Sequence, residues 1–176
     1  FIRKIHPGLL KRSFDPKNTY SLPFSWEIFG IGIDRDFFAA HAEIPKDWEI
    51  IFEPPIPYKV AMTNDPIEAV QFASLYLYQG LYPVDQEKLN QIQALLKKQY
   101  PSVEAYACFR ADYLLATRNC VAALTSSSYI WRTKRQFPFV EFLIPKNSML
   151  TIENIAIPIA TDREELVYAF LRFLFS

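Results

Sequence analysis

Apolar residues fall along this chain in two alternating kinds of run. Short continuous runs at Tyr58 to Met62, Val103 to Ala107, Cys120 to Leu124 and Phe139 to Ile144 read as buried strands. Ile28 to Ile33 is another, and Gly30 and Gly32 within it mark a backbone that a neighbour approaches closely. Ser21 to Trp26 reads as extended around Pro23, and Met149 to Ile157 as a longer strand with Glu153 in its middle. Between these runs the period changes to that of a helix. Ala69 to Gln79 is closed by Gly80. Asp85 to Tyr100 carries Leu89, Ile92, Leu95 and Leu96 and stops at Pro101. Arg110 to Arg118 is a short helix, and Thr125-Ser126-Ser127-Ser128 opens another that reaches Lys134. The capping box Thr161-Asp162-Arg163-Glu164 leads into a terminal helix with Leu166, Phe170, Phe173 and Leu174 on its buried side. Residues 5–19 are basic and turn-rich, with a short helix at Leu9 to Ser13. Asp34-Arg35-Asp36 opens a loop or short helix, and residues 45–57, with four prolines, read as a connector over the surface. Strands alternating with helices predict an α/β layered sheet.

Composition narrows the function classes. At 176 residues and 51% hydrophobic the chain can bury the core of one domain. Its 19 basic and 19 acidic residues leave no excess of positive charge, so a nucleic-acid surface is not expected. No apolar run has membrane-spanning length. Cys108 and Cys120 lack metal spacing and read as buried thiols, with a disulfide left open. His6 and His41 lack ligand spacing, four glycines form no phosphate loop, and no Gly-x-Ser-x-Gly surrounds Ser126 or Ser128. The basic run Arg132-Thr133-Lys134-Arg135 reads as a solvated helix end. No metal, cofactor or catalytic residue is therefore expected. The chain starts at Phe1 and stops at Leu174-Phe175-Ser176 inside an apolar helical pattern, so it reads as a piece of a longer protein.

One stretch carries candidate chemistry. In Thr63-Asn64-Asp65-Pro66-Ile67-Glu68 a buried strand runs into a helix, which places Asp65 and Glu68 at the carboxyl edge of a sheet. Asp at the N-cap, Pro at the first helical position and Glu at the third also form a capping pattern, and both acids suit the positive end of the helix. The two roles are compatible, since one carboxylate oxygen can cap while the other faces a pocket. Such a pocket would hold a cation, because adjacent carboxylates repel unless something positive lies between them.

Taken in order, the motifs resemble those of the spermidine/putrescine-binding proteins. Phe14-Asp15-Pro16-Lys17-Asn18-Thr19-Tyr20-Ser21-Leu22-Pro23-Phe24-Ser25-Trp26 is similar to that family's opening motif, and Gly30-Ile31-Gly32-Ile33-Asp34 to one of its strands. Met62 to Glu68, Phe142 to Lys146, Ile152 to Pro158 and the terminal helix follow at similar spacing, so the likeness covers nearly the whole chain. The resemblance implies a periplasmic-binding-protein-like (type II) lobe with a mixed sheet flanked by helices. It further implies a two-lobed receptor that delivers a polyamine or related cationic solute to the membrane permease of an ABC importer, outside the cytoplasm. Residues 24–150 would be the second ligand-binding lobe, and 1–23 and 151–176 crossing or first-lobe segments. Asp65, Glu68 and Glu153 match the acids that hold ammonium groups and would line one interlobe cleft. Thr125 and Thr151 stand where the family has aromatic residues that lie along methylenes, and Glu27 replaces the usual Gly after Trp26. Two alternatives remain open: an acid–base enzyme on the same scaffold, and an interaction module that has lost its ligand.

Overall fold

The computed structural model describes residues 2–41, 46–81, 85–107 and 111–176. Its elements run β1 (Ser21–Asp34), α1 (Arg35–His41), α2 (Glu49–Phe52), β2 (Val60–Met62), α3 (Pro66–Tyr78), α4 (Gln86–Gln99), β3 (Val103–Tyr106) and α5 (Ala111–Ala116). There follow β4 (Ala122–Ser126), α6 (Ser127–Lys134), β5 (Val140–Leu143), β6 (Leu150–Ala156) and α7 (Glu164–Leu174). Short 3-10 turns lie at Ile2–Lys4, Pro7–Leu9 and Tyr100–Ser102. The chain divides into two units, Ile28–Leu150 and Phe1–Glu27 with Thr151–Ser176.

The larger unit is built on strands in the order β3-β2-β4-β1-β5. β2 runs parallel to both β3 and β4, and β1 runs antiparallel to both β4 and β5, so the sheet is mixed. Strand alternation sends successive side chains to opposite faces. Ile31, Ile33, Val60, Met62, Ala122 and Leu124 join one apolar cluster with Phe38, Trp48, Phe72, Ile92 and Leu95 from the helices. Ala61 and Ala123 join a second with Ala111, Leu115, Ile130 and Val140. Helices thus flank both faces, the layered arrangement that the alternating pattern implies.

Gly30 and Gly32 bring the second face close. A Cβ on Gly30 would lie 2.4 Å from the Leu143 carbonyl oxygen and 2.7 Å from the Phe142 ring; one on Gly32 would lie 2.6 Å from both Ile130 and Leu115. The obstacle at Gly30 is backbone, which cannot rotate aside. Gly30→Ala is expected to destabilise the protein by about 1–3 kcal/mol, the usual cost of overpacking. A urea midpoint equal to that of the wild type would show that β1 and β5 do not approach in this way.

Three local expectations change. Trp48, Ile50, Ile51 and Phe52 are buried in the larger cluster, so the described part of the proline-rich stretch is no surface connector. Pro54, Pro55 and Pro57 follow a single helical turn, α2. The expected strands at Ser21 to Trp26 and Ile28 to Ile33 merge into one, β1, with no break at Glu27. α3 closes at Gln79, which takes the left-handed conformation (φ 60°) and donates its N–H to Leu75, in place of the expected Gly80. Cys120 is a free thiol beneath the sheet, and burial pushes its pKa up to about 12. Cys108 lies outside the described residues.

In the smaller unit the turn before β1 is organised by Asp15. Its carboxylate is buried and accepts hydrogen bonds from the N–H groups of Thr19, Tyr20 and Ser21, each at 2.9 Å, and from the Ser21 hydroxyl at 3.1 Å. Burial acts to raise the Asp15 pKa, but these four donors outweigh it and hold the group below the ordinary carboxylate range. A depressed folded-state pKa contributes stability above the unfolded-state value, and that stability is lost as pH falls through the folded-state value. Acid unfolding is therefore expected to begin below about pH 4, and Asp15→Asn to flatten that limb. An identical acid limb in Asp15→Asn would remove Asp15 as its cause.

β6 pairs with β1, and α7 buries Leu171. The expected buried side of α7 is not covered: Leu166, Phe170 and Phe173 are 62%, 56% and 73% exposed. Helical period decides which residues share a side, but only another element can cover them, and no described element does. The expected capping box is also absent. Arg163 occupies the N-cap position without a side-chain cap, and its N–H reaches the Thr161 hydroxyl at 3.4 Å.

Candidate functional site

The carboxyl ends of β2 and β4 lie together because these strands are parallel neighbours, paired Val60 to Ala122 and Ala61 to Ala123. Each end runs into a helix, β2 into α3 and β4 into α6. This edge is where open α/β sheets bind ligands.

On the β2–α3 turn, Asp65 caps the helix. Its Oδ1 accepts from the N–H groups of Ile67 at 2.7 Å and Glu68 at 3.1 Å, and Pro66 supplies the first helical position. Glu68 does not complete the reciprocal box. Thr63 takes that place: its hydroxyl donates to Glu68 Oε2 at 2.6 Å and accepts from the Asp65 N–H at 3.1 Å. One oxygen of each carboxylate is thereby held, and the two acids are tied to one buried threonine. Among the described residues neither carboxylate pairs with a Lys or Arg. Thr63 was the residue that sequence reasoning passed over. Its signal was a hydroxyl two residues before an Asp-Pro helix start.

On the β4–α6 turn the serines do not act as caps. Ser126 holds the N-cap position without a side-chain cap bond, and its hydroxyl lies 3.2 Å from that of Ser128. The Ser127 hydroxyl accepts from the Ile28 N–H at 3.3 Å, which fastens the turn to β1. Thr125 is 4% exposed, and its hydroxyl has no hydrogen-bond partner among the described residues.

Asp65, Glu68 and Thr125 therefore share one sheet edge of the larger unit. Thr151 and Glu153 belong to the smaller unit, where alternation along β6 puts them on one face of the strand, both exposed. Glu153 accepts a hydrogen bond from the Ser25 hydroxyl of β1. No helix among the described residues is long and apolar enough to cross a membrane.

The family model for bacterial extracellular solute-binding proteins matches residues 2–176. A putrescine/cadaverine-binding protein of Pseudomonas aeruginosa is 27% identical over 95% of this chain and 50% of its own length. A spermidine/putrescine-binding periplasmic protein of Salmonella typhimurium is 26% identical over 97% of this chain and 49% of its own length. The chain thus spans about half the length of these curated relatives. Among solved structures, the spermidine/putrescine ABC transporter substrate-binding protein of Streptococcus pneumoniae superposes with a TM-score of 0.85. It is 22% identical and covers 99% of this chain and 54% of its own. At that identity the likeness establishes the fold, the periplasmic-binding-protein-like lobe with its mixed sheet.

Proposed function

Since the chain belongs to the bacterial extracellular solute-binding protein family, we propose that it binds a cationic amine as part of the receptor of an ABC importer. The observation that carries this reading is the pair Asp65 and Glu68. Two carboxylates are tied to Thr63 at a ligand-binding edge and have no cationic side chain among the described residues. Like charges so placed favour a positive group between them, and an ammonium ion offers N–H donors for charge-assisted hydrogen bonds to both. The relatives' names, putrescine/cadaverine-binding and spermidine/putrescine-binding, agree with that chemistry.

In this reading Asp65 and Glu68 hold one ammonium group, with Thr125 beside them. Glu153, with Thr151 on the same strand face, serves an amine in the same way within its own unit. Ile28–Leu150 corresponds to a ligand-binding lobe, and the protein works outside the cytoplasm, handing its solute to a membrane permease. It binds and releases that solute and does not convert it.

Calorimetry of the whole protein with putrescine, spermidine and a neutral diol of putrescine's length tests the reading. The amines are expected to bind and the diol is not. Asp65→Asn and Glu153→Gln are each expected to weaken the amines. Unchanged amine affinity in both variants would overturn the site assignment, and equal binding of the diol would overturn the cationic reading.

A further inference from the structure

Thr125 brings to this edge a buried hydroxyl that makes no hydrogen bond among the described residues. Thr63 directly follows β2 and Thr125 lies near the end of β4, so both stand at the carboxyl edge of two parallel neighbours. Alternation along β4 gives Thr125 the face of Ala123, two residues before it. The Thr63 hydroxyl donates to Glu68 and accepts from the Asp65 N–H, and it makes no hydrogen bond to Thr125. Across the other flank Thr125 pairs with Gly30, which has no side chain to offer a partner. Buried hydroxyls in folded proteins are nearly always hydrogen-bonded, so an unpartnered one within a strand's reach of a carboxylate pair needs an explanation.

Resting on the reading of Asp65 and Glu68 as an ammonium site, we infer that the solute is an oxygen-bearing amine, with a hydroxyl or carbonyl oxygen two or three bonds from the nitrogen. The ammonium sits on Asp65 and Glu68, and the oxygen pairs with Thr125. A bare polymethylene amine satisfies the carboxylates and leaves the threonine unpaired. A site built to hydrogen-bond a substrate oxygen discriminates strongly against the analogue that lacks it, because its own polar group then stays unsatisfied. A hydroxyl also has the size and polarity to fit beside a threonine, where a methylene chain would gain only van der Waals contact.

The test is calorimetry of the whole protein with 1,3-diaminopropane and 1,3-diamino-2-propanol, which differ by one hydroxyl, at a pH where both are protonated. The hydroxylated diamine is expected to bind about tenfold more tightly or better to the wild type. Thr125→Val, which exchanges the hydroxyl for a methyl, is expected to abolish the preference. Its melting temperature is expected not to fall, since an unpaired buried hydroxyl is removed. Equal affinities in the wild type, or a preference that survives Thr125→Val, overturn the inference. If Asp65→Asn still weakens both amines in that case, the ammonium site stands without it. Failure of both diamines to bind the wild type overturns the ammonium site and this inference together.

Discussion

Trp48→Ala is expected to destabilise the protein by about 3–5 kcal/mol, the usual cost of truncating a buried Trp. The indole is 1% exposed, packs on Phe72 with ring centroids 5.1 Å apart, and donates its N–H to the Lys146 carbonyl at 3.2 Å. Ala removes the apolar bulk, opens a cavity and leaves that carbonyl short of a donor. The three losses act together because one side chain joins the start of α2, the face of α3 and the turn after β5. At this chain length a loss of that size corresponds to a fall in melting temperature of roughly 6–20 °C. Trp48→Phe keeps part of the volume and is expected to lose less. A melting temperature for Trp48→Ala within about 2 °C of the wild type would return residues 46–57 to the surface.

Removing the charge from Asp65 and Glu68 together is expected to weaken amine binding by about 100-fold or more. A hydrogen bond to a charged group contributes about 1.5–3 kcal/mol, so each carboxylate accounts for roughly tenfold to a hundredfold in affinity. Asp65→Asn with Glu68→Gln isolates the charge. Asn caps a helix about as well as Asp, so the N–H groups of Ile67 and Glu68 keep their acceptor. Gln keeps an oxygen for the Thr63 hydroxyl. The melting temperature without solute is therefore expected to hold while affinity collapses, and the residual binding to lose much of its dependence on salt. Wild-type affinity in the double variant would leave the carboxylates as caps and nothing more.

These two cases divide what could be read from the chain. Strands β2 and β4 were legible because a strand buried on both faces must be apolar throughout. The site edge was legible because Asp-Pro-x-Glu after such a strand fixes a helix start. α2 was not, since one helical turn is too short to display a period and the prolines on either side speak for a loop. Burial of Trp48 and Phe52 is a tertiary fact, set by where α3 and α4 pass over them. The stripe on α7 was legible as a stripe, and the surface that would cover it was not. At the site, Thr63 escaped notice because its role depends on where the Glu68 side chain turns. Thr125 could be named from the sequence, but its lack of a partner follows from which residues flank it in the sheet.

The antiparallel pairing of β1 with β4 has a consequence for how the protein is made. Gly30 pairs with Thr125, so the partners are 125 − 30 = 95 positions apart. At translation rates of about 5–20 residues per second, β1 emerges roughly 5–20 s before the strand that shields it exists. During that wait Ile31 and Ile33 are a sticky nascent segment with an unpaired edge, the kind of surface a holding chaperone recognises. The wait is written into strand order, and no substitution within β1 shortens it.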